Sequence, residues 1–244
     1  MKYSKTLSII MICFLPHTFL YGQVKERYFD EIVGIAFPSA MITYGLISLG
    51  DNGIREIDYR MRQSLENNDR FWNTHADDYI QFAPAVAAYT MKLCKVESTH
   101  NMLDMTILYG LSSILAGGIV GKTKVITARE RPDHSNNRSF PSGHTETAFV
   151  AAEFLHQEYH HQSVWISIGG YSAATFVGIA RVYNNKHWVS DVVAGAGIGI
   201  LSTKVVYWTY SCLQKKTGNN KSLQTFVFPG YSNGNLCLNL LHTF

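Results

Sequence analysis

Three short polar clusters in this 244-residue chain lie between long stretches that carry no charge. The uncharged stretches include residues 105–121 and 162–180, which are long enough to form buried or membrane-spanning helices. The polar clusters are Lys124 with Arg131-Pro132, then Pro141-Ser142-Gly143-His144, then Arg181 with His187 and Asp191. This alternation predicts a helical architecture whose polar residues meet at the ends of helices.

The first two clusters have the residue types of an anion site. Lys124 and Arg131 are seven residues apart, so a helix through both would point them from one face toward one anion. Pro132 would then end that helix. Ser142 is a favourable N-cap residue and Gly143 lets a ligand approach the backbone, so free N–H groups of the next helix would face the anion. Together these residues predict a phosphate-binding site.

The third cluster adds an activated imidazole. His187 and Asp191 are four residues apart, so the carboxylate would take the proton of one ring nitrogen and leave the other nucleophilic. We assign His187 as the nucleophile that forms a phosphohistidine, and His144 as the acid that protonates the leaving alkoxide and then activates water. Negative charge on the transferring group would be met by Lys124, Arg131, Arg181, Ser142 and the Gly143 N–H. This chemistry requires no metal and no cofactor.

These residues resemble the three-part motif of the type 2 phosphatidic acid phosphatase superfamily, which also contains bacterial acid phosphatases and vanadium haloperoxidases. The matching patterns are K-x6-R-P from Lys124, P-S-G-H from Pro141 and R-x5-H-x3-D from Arg181, and they span 68 residues. The third motif of the family usually opens with Ser-Arg, whereas Ala180 precedes Arg181 here. One hydrogen bond near the phosphate in the family pattern is therefore not expected in this chain.

The resemblance implies substrates that are lipid phosphates, namely lipid A, undecaprenyl pyrophosphate, phosphatidic acid or phosphatidylglycerophosphate. The order of an export signal, a charged segment and a short β tail is most similar to lipid A phosphatase-type members from Gram-negative bacteria. We therefore expect a membrane-associated phosphatase that faces the periplasm, with no obligate protein partner. A soluble periplasmic acid phosphatase and a vanadate-dependent haloperoxidase stay open as alternatives.

Each cluster also has a plain structural interpretation. A basic run such as 122–138 is usually a solvated loop, Ser-Gly-His before a helix is usually a cap, and His and Asp four residues apart are usually a surface pair. The occurrence of all three in one order and spacing favours the functional interpretation. A non-catalytic envelope protein would give no reason to keep both histidines.

Composition favours membrane association and argues against other classes. Apolar residues make up 46% and charged residues 16% of the chain, against roughly 25% charged residues in a typical soluble domain. A net charge of +3 without interleaved aromatic and basic residues does not indicate nucleic-acid binding. The four cysteines have no C-x-x-C spacing, which argues against a zinc site or a disulfide framework.

The N-terminal third contains three segments of different character. Residues 1–22 are predicted to be an export signal, because lysines precede an apolar stretch; Leu20 is large for a cleavage site, so an uncleaved anchor is the alternative. Residues 32–50 carry no charge, which suits a membrane crossing or a buried core helix. The charged segment 51–78 is predicted to contain an amphipathic helix with an apolar stripe at Ile54, Ile57, Met61 and Leu65.

We predict an all-α domain over residues 23–215, a bundle of about six helices with the active site at one end. The helix after Ser142 contains several carboxylates and is unsuited to facing lipid. Small residues are expected to allow close helix contacts on the last helix and at Gly117, Gly118 and Gly121. The tail, 216–244, is predicted to be a β-hairpin, because Leu236, Leu238 and Leu240 alternate with other residues and Pro229-Gly230 and Asn233-Gly234 mark turns.

Overall fold

The computed structural model describes residues 34–216 and two strands near the C-terminus, and the predicted signal segment 1–22 lies outside the described residues. The described part of the chain contains eight helices, where about six were predicted. They are α1 (Gly34–Ile47), α2 (Gly53–Asn67), α3 (Ala76–Ile80), α4 (Ala83–Leu93), α5 (Met102–Thr127), α6 (Gly143–Tyr159), α7 (Val164–Tyr183) and α8 (Val189–Lys216). The predicted all-α architecture is confirmed.

Side-chain caps explain where several helices begin. The side chain of Asn52 accepts hydrogen bonds from the backbone N–H groups of Ile54 and Arg55, which starts α2. Asn101 caps α5 and Ser163 caps α7 in the same way. Each cap satisfies backbone donors that would otherwise have no partner in the first turn.

α6 is the central helix of the domain. It contacts α4, α5 and α7, and most of its residues are buried, including Glu146, Glu153 and Glu158. Lys204 of α8 lies 3.1 Å from Glu153, and the backbone N–H of His100 donates to Glu158 at 3.0 Å. The carboxylates of this helix therefore lie inside the protein, and partners offset the cost of burying two of them.

Glycines on α8 allow it to approach α6 at backbone distance. A Cβ atom at Gly195 would lie 2.5 Å from the carbonyl oxygen of Ser142, and one at Gly199 would lie 2.6 Å from that of Glu146. No side chain fits at these distances, so the small residues of α8 make the close contact that the sequence predicted. This contact places the start of α8 beside the Ser142 turn.

The end of α5 differs from the prediction. α5 stops at Thr127, because Ala128 adopts a left-handed conformation with φ 43° and its N–H bonds to the carbonyl oxygen of Lys124. Arg131 lies in the following loop, where its backbone N–H donates to Asn136 at 3.0 Å. Lys124 and Arg131 therefore do not share a helical face. Their side chains can reach the same anion only if the loop after α5 folds back toward Lys124.

Two helices among the described residues are long and apolar enough to cross a membrane, Met102–Thr127 and Val189–Lys215. The 26 residues of α5 extend about 39 Å, more than the roughly 30 Å of a bilayer core. In the apolar 18-residue stretch of α5 only 28% is buried inside the structure, whereas the corresponding share in α8 is 61%. Within the described chain, a Cβ atom at Gly117, Gly118 or Gly121 would meet no atom within 4 Å. Among the described residues these glycines therefore make no close helix contact, and the predicted packing there stays a prediction.

The tail contains two strands, β1 (Gln224–Ser232) and β2 (Asn235–Thr243). They pair antiparallel, with Ser232 opposite Asn235 at one end and Gln224 opposite Thr243 at the other. By internal contacts the chain divides into one unit up to Val206 and another from Tyr207 onward. The predicted domain limits at residues 22 and 215 stay predictions.

Candidate active site

Lys124 joins the end of α5 to the turn before α6. Its Nζ donates to the carbonyl oxygen of Pro141 at 2.5 Å and to that of Arg138 at 2.9 Å. The backbone N–H of Ser142 in turn donates to the carbonyl oxygen of Asp191 at 3.0 Å. These bonds bring the first, second and third polar clusters together at one end of the bundle.

The second cluster forms the start of α6 as predicted. Ser142 is the N-cap residue and is fully buried, but its side chain makes no capping bond and lies 2.9 Å from Thr145 Oγ1 instead. Gly143 is the first helical residue, and a Cβ atom there would lie 3.9 Å from Cε of Lys124. The N–H groups of this first turn are aligned with the positive end of the helix dipole.

His187 lies just before α8 with its side chain 2% exposed. Its Nδ1 lies 3.5 Å from Oδ2 of Asp191, which is too long for a normal hydrogen bond. Burial lowers the pKa of His187 to about 4, although Asp191 opposes this shift. The imidazole is therefore neutral near pH 7, with Nδ1 turned toward a carboxylate and Nε2 as its other nitrogen.

Asp191 is fully buried and holds several donors besides its histidine partner. Its Oδ1 accepts from Arg129 at 2.7 Å, and its Oδ2 accepts from the backbone N–H of Trp188 at 3.0 Å and from the hydroxyl of Ser139. Three hydrogen bonds to one buried carboxylate stabilise its ionised form, so Asp191 is held as an anion.

His144 has a carboxylate partner that was not predicted from the sequence. Its Nε2 lies 2.7 Å from Oδ1 of Asp78 on α3. Burial and the charge of Arg181 lower the pKa of His144, whereas Asp78 raises it. The same contact lowers the pKa of Asp78. Each of the two predicted catalytic histidines thus has an aspartate beside it.

Arg181 at the end of α7 is also held by α3. Its guanidinium donates to Oδ2 of Asp77 at 2.6 Å, and Asp77 accepts a second bond from Asn184 at 3.1 Å. Asp77 is fully buried and Arg181 nearly so. α3 therefore positions one cation and one histidine of the site through two consecutive aspartates.

Some buried donors at the site have no partner. Among the described residues, the side-chain nitrogens in this condition are Arg62 Nε, Arg131 Nε, Arg181 Nε and His187 Nδ1. Three of the four belong to residues that the sequence predicted for phosphate binding or catalysis. Burial lowers the pKa of Arg131, and the nearby charge of Arg181 lowers it further.

Arg129 and Asp58 also belong to the site, although neither was predicted from the sequence. Arg129 donates to Asp191 through one guanidinium nitrogen and to Asp58 of α2 at 2.8 Å through the other. The side chains of both carboxylates are 0% exposed and that of Arg129 is 10% exposed. Only the R-x-R-P spacing, with a second arginine two residues before Arg131, distinguished Arg129 in the sequence. No pattern distinguished Asp58.

One group of described residues could hold a metal ion. Asp77, Asp78 and His144 bring one ligand-type atom each within 4.8 Å of one another. Two of these side chains already form the close pair of His144 with Asp78, and Asp77 is the partner of Arg181. These three side chains are therefore already engaged in ion pairs, and they are better suited to positioning His144 and Arg181 than to binding a metal ion.

The fold and site define a helical bundle that gathers a buried histidine, a half-buried histidine, the aspartates beside them and a group of lysine and arginine side chains at one end. The PAP2 superfamily model matches residues 105–215, which contain all three polar clusters. The chain is 36% identical over 175 residues to the lipid A 1-phosphatase of Porphyromonas gingivalis. This match covers 71% of this chain but only 38% of that protein. It is 38% identical over 161 residues to a bacitracin transport permease protein of Bacillus licheniformis, covering 57% and 77% of the two chains.

This chain belongs to the PAP2 superfamily, as the resemblance in its three motifs predicted. A crystal structure of a transmembrane PAP2-type phosphatidylglycerolphosphate phosphatase from Bacillus subtilis matches with 22% identity, a TM-score of 0.47, and coverage of 76% of this chain and 99% of that one. The family membership and the two apolar helices together indicate that the protein is membrane-associated.

Proposed function

We propose that this chain is a phosphatase of envelope lipids, which hydrolyses phosphate monoesters or pyrophosphate ends and has lipid A as its first candidate substrate. The main support is the pair of guanidinium groups on Arg131 and Arg181, whose buried Nε atoms have no partner among the described residues. An unsatisfied buried donor costs about 1–3 kcal/mol. Phosphate oxygens would remove that cost and would be held bidentately by the planar guanidinium groups.

In the first half of the reaction, Nε2 of His187 attacks the phosphorus atom while the bond from phosphorus to the leaving oxygen breaks. Asp191 stabilises the ring by accepting at Nδ1 as positive charge develops. His144 donates a proton to the leaving oxygen from Nδ1, because its Nε2 is occupied by Asp78. The equatorial oxygens are bound by Lys124, Arg131, Arg181, Ser142 and the Gly143 N–H.

In the second half, neutral His144 takes a proton from water and the resulting hydroxide attacks the phosphorus atom. The bond between phosphorus and Nε2 breaks, inorganic phosphate leaves, and His187 returns to its neutral form. His144 regains the proton that it lost in the first half. Both histidines are therefore restored after one ester has been hydrolysed by one water.

The substrate assignment is supported by the relative named as a lipid A 1-phosphatase and by the exposed apolar surface of α5. The predicted export signal supports a site that faces the periplasm. The alternative of a soluble acid phosphatase is not favoured, because relatives are named as lipid phosphatases. Undecaprenyl pyrophosphate and phosphatidic acid remain in the same substrate class.

A substrate panel on protein purified in detergent tests the proposal. We expect phosphate release from lipid A to be faster than from undecaprenyl pyrophosphate, phosphatidic acid or a small aryl phosphate at equal concentration. Faster release from another lipid would reassign the substrate within the proposed class. Release from the aryl phosphate alone would contradict lipid specificity, and bromide oxidation by peroxide after vanadate loading would instead indicate a haloperoxidase.

Asp78→Asn is expected to move the alkaline limb of the kcat/KM profile to lower pH. Asp78 raises the pKa of His144, so its removal lowers that pKa and His144 loses its catalytic proton at a lower pH. Activity should fall most at pH 7 and above. The matched control is Glu130→Gln, which removes an exposed carboxylate 2.7 Å from His134 and should leave the profile unchanged. An unshifted alkaline limb in Asp78→Asn would show that Asp78 does not tune the acid.

Chelators are expected to leave activity intact, whereas orthovanadate should inhibit it. Vanadate adopts the trigonal-bipyramidal geometry that Lys124, Arg131 and Arg181 would enclose, and the proposed steps use side chains alone. The measurement is phosphate release after dialysis against EDTA, with and without added Zn²⁺ or Mg²⁺. Loss in EDTA that either ion restores would assign a catalytic metal, with Asp77, Asp78 and His144 as its first candidate ligands.

A further inference from the structure

A buried ion-pair chain lies behind Asp191 and reaches out to α2. Arg129 bridges Asp191 at 2.7 Å and Asp58 at 2.8 Å through its two terminal nitrogens. Asp58 also accepts the backbone N–H of Ser190 at 3.0 Å and the hydroxyl of Ser190. The superfamily match begins at residue 105, so Asp58 comes from outside the matched segment.

We infer that Asp58 and Arg129 are positioning residues that fix the carboxylate of Asp191 against His187. This inference rests on the proposed function of His187 as a nucleophile. The planar guanidinium holds Oδ1 of Asp191, which leaves Oδ2 toward the ring of His187 at 3.5 Å. Asp58 holds the other side of the same guanidinium, so rotation of Arg129 away from Asp191 would leave both buried carboxylates without their cation.

The charges in this chain of contacts also have a defined effect on Asp191. One cation is shared between two carboxylates, so Asp191 keeps more of its negative charge than it would in a simple pair with Arg129. The charged groups that face His187 are Asp191 from α8, Lys124 from α5 and Arg131 from the next loop. Asp58 and Arg62 from α2 line a small cavity together with His187. Removing the charge of Asp58 therefore reduces the negative charge in the surroundings of His187.

Two substitutions separate positioning from charge. Arg129→Lys keeps the cation but replaces the planar fork with a single ammonium that does not hold both carboxylates in fixed directions. We expect kcat to fall roughly 10- to 100-fold with KM unchanged, as for other residues that orient a catalytic group. The titration of His187 should stay close to that of the wild type, because the charge is kept.

Asp58→Asn keeps the shape of the side chain and removes its charge. We expect a similar fall in kcat, roughly 10- to 100-fold, together with a shift of the His187 titration to lower pH. The titration is measured by NMR of ¹⁵N-histidine-labelled protein in detergent, with the His187 signal identified by its loss in His187→Gln. The matched control is Arg60→Gln, which breaks an exposed ion pair with Glu56 on the same helix and should change neither quantity.

The outcomes are distinguishable from failure of the proposed function. If the wild-type protein hydrolyses none of the lipid phosphates, the proposed function fails, but the His187 titration in Asp58→Asn still tests the contact chain. Wild-type kcat in both variants would overturn the inference. Should Arg129→Lys lose its helical circular dichroism, Asp58→Asn alone decides, and an unshifted His187 titration with unchanged kcat in that variant contradicts the inference.

Discussion

His187→Ala is expected to abolish turnover of every phosphate ester, whatever its leaving group. His144 also has an aspartate beside it but is assigned to proton transfer, so without His187 the covalent intermediate cannot form. The measurement is phosphate release from a lipid phosphate and from nitrophenyl phosphate in the same detergent. The control is His161→Ala, which removes an exposed histidine in the turn between α6 and α7 and should retain full activity.

The intermediate itself provides the stronger test of this role. Brief incubation of the wild-type enzyme with substrate, followed by an acid-free quench, should leave phosphate on His187, which mass spectrometry at neutral or alkaline pH detects as a phosphoramidate. His187→Ala should carry no label. Residual turnover in His187→Ala, or label on another residue, would contradict the assignment of the nucleophile.

His144→Ala is expected to have an effect that depends on the leaving group. General acid catalysis contributes roughly 10²–10⁴-fold, and a lipid or sugar alkoxide leaves badly enough to need all of it. A nitrophenolate leaves with little help, so phosphorylation of His187 by nitrophenyl phosphate should stay fast. Breakdown of the phosphohistidine would lack its base, so this substrate should show a rapid burst of nitrophenolate followed by slow turnover.

Rapid-mixing measurements on the two esters provide the comparison. We expect phosphate to accumulate on His187 in the His144→Ala variant with the nitrophenyl ester and not with the lipid ester. An equal loss of phosphorylation rate with good and poor leaving groups would refute the acid role of His144. Label on His144 in the wild-type enzyme would reverse the two assignments while leaving the fold and family unaffected.

The sequence by itself determined the local parts of this site. A helix begins after Ser142 and the four-residue spacing of His187 and Asp191 places their side chains together, because both features depend on a few consecutive residues. The uncharged segments predicted helices, and the carboxylates of α6 indicated that this helix does not face lipid. The prediction for α5 was wrong beyond Thr127, since the left-handed Ala128 has no distinct sequence signal.

Only the tertiary structure decided which charged residues serve the site. Asp58 lies 71 residues from Arg129 and 132 residues from Ser190 in sequence, and Asp78 lies 66 residues from His144. Within their own segments, these aspartates are charged residues of short or amphipathic helices, which are usually solvent-exposed. The buried carboxylate of Asp58 is stable because a cation and donors from distant segments reach it, and that partnership exists only once the helices have packed.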